Sequence, residues 1–290
     1  MINKSLFTSS LILILQIAFL TTICGQSADK QYIYETFRGT RVINGQSVEM
    51  RRGGEMEMII NHRFGRVNGG AYEFFGLDEA NIRIGLDYGI TDWLTIGVGR
   101  SSLGKEFDGF LKVNLLRQST GGKGAMPLSA TFYSSVAYNS LRDSDPLRPI
   151  LQQHRFSYVS QLLLARKFSD RLSLQLAPTY VHFNIVNTQD VSNDKVALGA
   201  AGKYQLSKNW ALTSEYYYTL PVYQQADRTN ALSIGFDLNT GSHVFQFHFT
   251  NSTAMIDKQF IGETTGNWLD GDIHLGFNIV RTFKLKGRRY

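Results

Sequence analysis

The chain has 290 residues, 43% hydrophobic and 12% aromatic, with a formal net charge of +6 and a single cysteine, Cys24. One cysteine excludes a disulfide framework and a cysteine-based zinc site, and the scattered basic residues form no stripe of the kind that binds nucleic acid. Past residue 20 no apolar run approaches the roughly 20 residues that a spanning helix needs, so a membrane protein of this composition must cross as strands.

Met1 to Lys4 gives a short basic start, and Leu11 to Leu20 is an apolar stretch of signal-peptide length. Small and polar residues lead to Cys24-Gly25-Gln26, which places the expected cut before Gln26 and makes 1–25 the signal peptide. Acylation of Cys24 is the rival, but it wants a small residue just before the cysteine, and Ile23 is not small. A tethering helix would need a longer apolar stretch. Residues 26–54, in which Gly39 to Val48 is polar and extended with no helical period, are expected to form an N-terminal periplasmic arm or a plug entering the domain built by residues 55–290.

That domain repeats one pattern, a segment of roughly ten residues alternating apolar and polar positions, as strands with two different faces require. Ile82, Ile84, Leu86, Tyr88 and Ile90 alternate with Asn81, Arg83, Gly85, Asp87 and Gly89. Leu232, Ile234, Phe236 and Leu238, then Phe245, Phe247 and Phe249, repeat it, as do Ile273, Leu275, Phe277 and Ile279. About twelve strands are expected, at 55–64, 80–90, 93–101, 107–117, 128–139, 155–168, 171–183, 195–206, 209–220, 230–239, 242–251 and 270–284. Short turns at Thr91-Asp92, Ser169-Asp170, Ser207-Lys208 and Thr240-Gly241 alternate with longer loops near 65–79, 140–154, 184–194, 221–229 and 252–269. The exceptions are a longer Gly-rich turn, 118–127, and a short loop, 102–106. This is the rhythm of an all-β, antiparallel transmembrane barrel with short periplasmic turns and longer external loops. A soluble sandwich also alternates, but it would have shorter strands and no such rhythm.

Trp93, Phe168 and Trp210 flank short turns, and Tyr138, Tyr180 and Tyr218 lie at the opposite strand ends, so the six are expected to form two interfacial girdles. The polar face carries Glu57, Arg63, Arg83, Asp87, Lys112, Lys203, Glu215, Asp237, His248 and His274, expected to line the lumen, together with Glu55 and Lys167. Gly85, Gly97, Gly199, Ala201, Gly235 and Gly276 lie among them. Small residues leave room, so a narrow channel is physically reasonable; a lumen filled by its own side chains and the arm is the alternative.

The run Arg41-Val42-Ile43-Asn44-Gly45-Gln46-Ser47-Val48-Glu49 is followed by His62-Arg63-Phe64-Gly65, Phe75-Gly76-Leu77-Asp78, Tyr88-Gly89-Ile90-Thr91-Asp92, Gly97-Val98-Gly99-Arg100-Ser101-Ser102 and Lys105-Glu106-Phe107-Asp108-Gly109-Phe110-Leu111-Lys112. These residues resemble a Bacteroidota family of outer-membrane β-barrels, domain of unknown function 5777, most densely over 37–120. The resemblance implies an outer-membrane barrel in contact with outer-membrane lipid and the machinery that assembles such barrels. It implies no activity, substrate or catalytic residue.

Other motifs are weaker. Gly99 to Glu106 nearly matches a phosphate-binding loop, but Glu106 stands where a Ser or Thr would reach magnesium, and no helix is expected after it. His248 and His274 fall on the polar face of neighbouring strands, where a modest register choice sets them side by side, and Asp272 could supply a third metal ligand. Solvated lumen histidines are the simpler reading. His62, His182 and His243 fall on the lipid-facing alternation, and His154 in a loop. Lipid hydrolysis would need a serine partner for His62 or His182, and none is well placed in the sequence. The expectation is a porin-like outer-membrane barrel with no catalytic residue, metal or cofactor, a narrow passive pore for small polar solutes. The alternative is a non-transporting barrel acting as a structural or binding scaffold.

Overall fold

The computed structural model describes residues 29–143, 149–186, 191–241 and 243–285. The expected signal peptide, 1–25, lies outside them. Twelve antiparallel strands close into a barrel. They are β2 (Glu55–Arg66), β3 (Ala80–Thr91), β4 (Leu94–Ser101), β5 (Glu106–Leu116), β7 (Ser129–Asn139), β8 (Phe156–Lys167), β9 (Leu172–Phe183), β10 (Asp194–Gln205), β11 (Trp210–Thr219), β12 (Ala231–Asn239), β13 (His243–Thr250) and β14 (His274–Lys284). Each strand pairs with its successor, and β14 returns to β2 to close the ring. Closure satisfies every ladder and leaves no edge, the condition for a sheet surrounded by hydrocarbon.

The expected spans agree to within a few residues; the largest difference is the last strand, which starts at His274 rather than at residue 270. The Gly-rich connection has a structural reason for its length. It carries β6 (Ser119–Thr120), which pairs with β1 (Gln31–Tyr32) and so fastens the start of the arm to the short-turn end of the barrel.

Alternation sorts the side chains as the pleat demands. Leu86, Ile234 and Phe247 are 40%, 40% and 47% exposed, whereas Arg83, Asp237 and His248 are at most 1% exposed. Outward apolar residues meet across strands, with Ile234 opposite Phe249 and Phe236 opposite Phe247. Inward polar residues meet likewise: Ser233 donates to Thr250 Oγ1 at 2.9 Å, and Gln246 donates to Asp237 at 3.1 Å. The result is a barrel with an apolar outside and a polar inside, the reverse of a soluble protein.

Candidate functional site

The lumen is occupied from both ends. From the short-turn end, the arm enters as a hairpin, with Thr36 and Phe37 buried at its start and Gly39 to Val48 buried along its length. Arg41 bridges Gln46, the Val42 N–H donates to the Gly45 carbonyl at 2.8 Å, and the Ser47 N–H donates to the Thr40 carbonyl at 2.9 Å. A two-residue-wide hairpin cannot satisfy its outer backbone groups by itself, so the barrel wall must do so.

The wall does this residue by residue. The Glu215 carboxylate accepts from the N–H groups of Ile43, Asn44 and Gly45 at 2.8–3.3 Å. Lys112 Nζ donates to the carbonyls of Thr40, Ser47 and Glu49 at 2.7, 3.0 and 3.4 Å. The Gln175 amide accepts from the Val48 N–H and donates to the Gln46 carbonyl. Gln246 and Asn278 donate to the carbonyls of Val42 and Ile43. Side chains complete the seat: Thr40 donates to Glu57 and Asp87, and Asn44 joins Arg63 to Ser233. Phe37, Val42, Ile43 and Val48 pack on Phe110, Tyr133, Leu163 and Ala177.

From the long-loop end, the connection between β13 and β14 dips inward and forms α1 (Asp257–Gly262), every residue of which is buried. Phe260 and Ile261 pack with Val159, Val181 and Phe183, and the rings of Phe260 and Tyr217 lie 5.2 Å apart. Lys258 spans Glu106 at 2.8 Å and Glu263 at 3.3 Å. Both inserts converge on two tyrosines. Tyr133 belongs to the cluster around the arm and donates its hydroxyl to Asp257 on α1. Tyr217 packs on Phe260, and its hydroxyl lies so near Gly45 that a Cβ there would fall 2.2 Å from it.

All ten residues expected to line the lumen point inward and are at most 3% exposed: Glu57, Arg63, Arg83, Asp87, Lys112, Lys203, Glu215, Asp237, His248 and His274. A water-filled channel would expose them. The small residues on this face do not form a passage, because large neighbours fill the space they leave. A Cβ on Gly97 would fall 2.2 Å from Phe110, on Gly99 2.3 Å from the Arg83 guanidinium, and on Gly276 2.1 Å from that of Arg63. The six aromatics expected in the girdles lie at or near strand ends: Trp93, Phe168, Tyr180, Trp210 and Tyr218 are 40–55% exposed, and Tyr138 is half-buried with its hydroxyl on Gln152.

Asp87 lies opposite Glu57, and Arg83 pairs with Asp108 on β5, bound through both Nε and Nη2. Asp108 shares the alternation of Lys112 and was legible as inward-facing; Arg41 and Asp257 sit in segments without alternation and carried no such signal. His248 lies opposite Gly276, and His274 opposite Thr250, so the two imidazoles are not side by side. Both ring nitrogens of His274 are engaged, by Thr253 and the Phe64 carbonyl, and Asp272 is held by Arg66 and Asn68. In the near-match to a phosphate loop, Gly99 and Arg100 lie within β4, and a 3-10 turn over Leu103–Lys105 leads straight into β5. Of the outward histidines, His62 stacks on Phe277 at 4.8 Å and His182 binds Asp194 at 2.7 Å.

The model of a family described as a membrane bound beta barrel domain, domain of unknown function 5777, matches residues 37–283. No curated protein matches the chain. Among solved structures, the NanC porin is 11% identical over 79% of this chain and 100% of its own, with a TM-score of 0.49. The KdgM porin is 8% identical over 80% and 99%, at 0.46. A Rhodopseudomonas blastica porin variant is 11% identical over 70% and 55%, at 0.33. What the barrel does must therefore be read from its own lumen.

Proposed function

The chain belongs to the membrane-bound β-barrel family, and we propose that it is an integral outer-membrane barrel, closed at rest, which passes small polar solutes only when the N-terminal arm leaves the lumen. The short-turn end then faces the periplasm, as in other outer-membrane barrels. One observation carries the reading: five polar side chains of the lumen wall, Glu215, Lys112, Gln175, Gln246 and Asn278, bond the backbone of residues 40–49. A wall that exchanges those bonds for water as the arm leaves remains a polar, hydrated lining. The role is non-enzymatic and uses no cofactor.

A second reading, a closed scaffold that presents its loops, is favoured by α1, which obstructs the lumen independently of the arm. Planar-bilayer conductance separates the two. The refolded full chain should be silent, and the chain lacking residues 26–49 should give stable ohmic steps. Silence from the shortened chain, with its heat-modifiable folding intact, would replace the channel by the scaffold.

A further inference from the structure

Where the arm leaves the lumen at the short-turn end, it bounds a cavity of about 750 Å³. Five cationic side chains line it: Arg38 on the arm, Lys167 and Lys203 at the ends of β8 and β10, and Arg171 and Lys208 on the two following turns. The acids nearby are two, Glu35 and Asp170. Neither neutralises the basin well: Glu35 lies 3.7 Å from Arg38, Asp170 lies 4.0 Å from Lys167, and both carboxylates stand out in solvent. The side chains of Arg171 and Lys208 have no partner among the described residues, and Arg38 Nε is buried without one. Arm and barrel also grip each other at this edge. Arg38 donates to the Lys208 carbonyl at 2.7 Å, and Lys203 donates to the Glu35 carbonyl at 2.8 Å.

We propose that this basin binds a small multivalent anion bearing phosphate or carboxylate groups, and that the bound anion ties the arm to the barrel turns. A concave site lined by one sign of charge concentrates the opposite one, and guanidinium groups from two directions suit the several oxygens of such a ligand. The anion bridges Arg38, which belongs to the arm, to Arg171 and Lys208, which belong to the wall, so its binding and the seating of the arm reinforce each other. The site does not depend on whether the barrel ever conducts.

The test is calorimetric titration of the refolded chain in neutral detergent with inorganic pyrophosphate. Saturable binding is expected, weakened tenfold or more in Arg171→Gln/Lys208→Gln, whose altered side chains hold nothing in the fold. Lys123→Gln, on the Gly-rich turn outside the basin, should bind as the unaltered chain does. Absence of saturable binding, or equal affinity in the double variant, overturns the proposal. Repeating the titration in phosphatidylcholine and phosphatidylglycerol nanodiscs identifies the source of the anion. Pyrophosphate binding lost only with phosphatidylglycerol means that a lipid headgroup takes the basin, and equal binding in both means that a soluble anion does.

Discussion

Glu215 and Lys112 hold the same hairpin from opposite sides of the ring: the carboxylate takes the N–H groups at its tip, and the ammonium takes the carbonyls at its base. Each charge is matched to the sign of the backbone groups it faces. Removing either leaves buried polar groups on the arm without partners, which costs about 1–3 kcal/mol per group.

Glu215→Ala should therefore loosen the arm while the barrel stays closed on itself. In the folded chain, trypsin should leave Arg38 and Arg41 uncut; in the variant both should become cleavable, with the heat-modifiable mobility of the barrel unchanged. An arm that remains resistant in Glu215→Ala would mean that the apolar seat around Phe37 and Ile43, not the carboxylate, holds it.

The Arg83–Asp108 pair predicts loss of stability rather than a change of ion preference. Arg83→Ala strands Asp108 in a buried site, at a cost of about 3–5 kcal/mol. Gly99→Ala should be damaging too, because its Cβ would meet the Arg83 guanidinium and the Asp108 carboxylate at 2.3 and 2.9 Å. Urea unfolding in lipid vesicles, followed by tryptophan emission, measures both. Unaltered midpoints would show that the pair is solvated.

Phe247→Arg places a charge on the lipid face, 47% exposed outward near the middle of β13, and should cost about 2–4 kcal/mol. The lumen comparator has to be His248→Gln. An arginine at 248 would lie close to the Arg63 guanidinium, since both that group and His248 Nε2 crowd the same Gly276. Assembly yields should fall for Phe247→Arg and stay near the parent for His248→Gln. Equal yields would mean that the register of this hairpin is wrong.

Acid should free the outer end of β14. Asp272 accepts from the Asn267 N–H at 3.1 Å and from Asn68 at 2.9 Å, and pairs with Arg66 at 2.9 Å; these partners, the Asn267 N–H foremost, hold its carboxyl below the usual carboxylate range. A folded pKa below the unfolded one gives stability that is complete above an unfolded value of about 4 and is lost as pH falls through the folded value. Amide exchange over residues 267–274, corrected for the intrinsic rate, should accelerate as pH falls through that window. Asp272→Asn should already exchange fast near neutrality and gain nothing further in acid.

The alternation of residues such as Ile82 to Ile90, and of Phe245 to Phe249, was enough to fix which segments are strands, how many there are and which side of each faces lipid. These properties follow from a two-residue period that is local in the chain. The rhythm of short turns and long loops likewise gave the ring order, because consecutive strands pair. What the lumen contains was decided only by the tertiary structure. Residues 36–48 and 252–264 have no period to read, because their backbone groups are satisfied by side chains as far away in sequence as Glu215, Gln246 and Asn278 for the arm. The glycines on the inner face look in sequence like room for water; only the folded barrel shows Arg83, Phe110 and Arg63 filling that room from other positions. A side chain's direction is set within its own strand, but its partner is set by register and by whatever enters the ring, and neither is a local property of the chain.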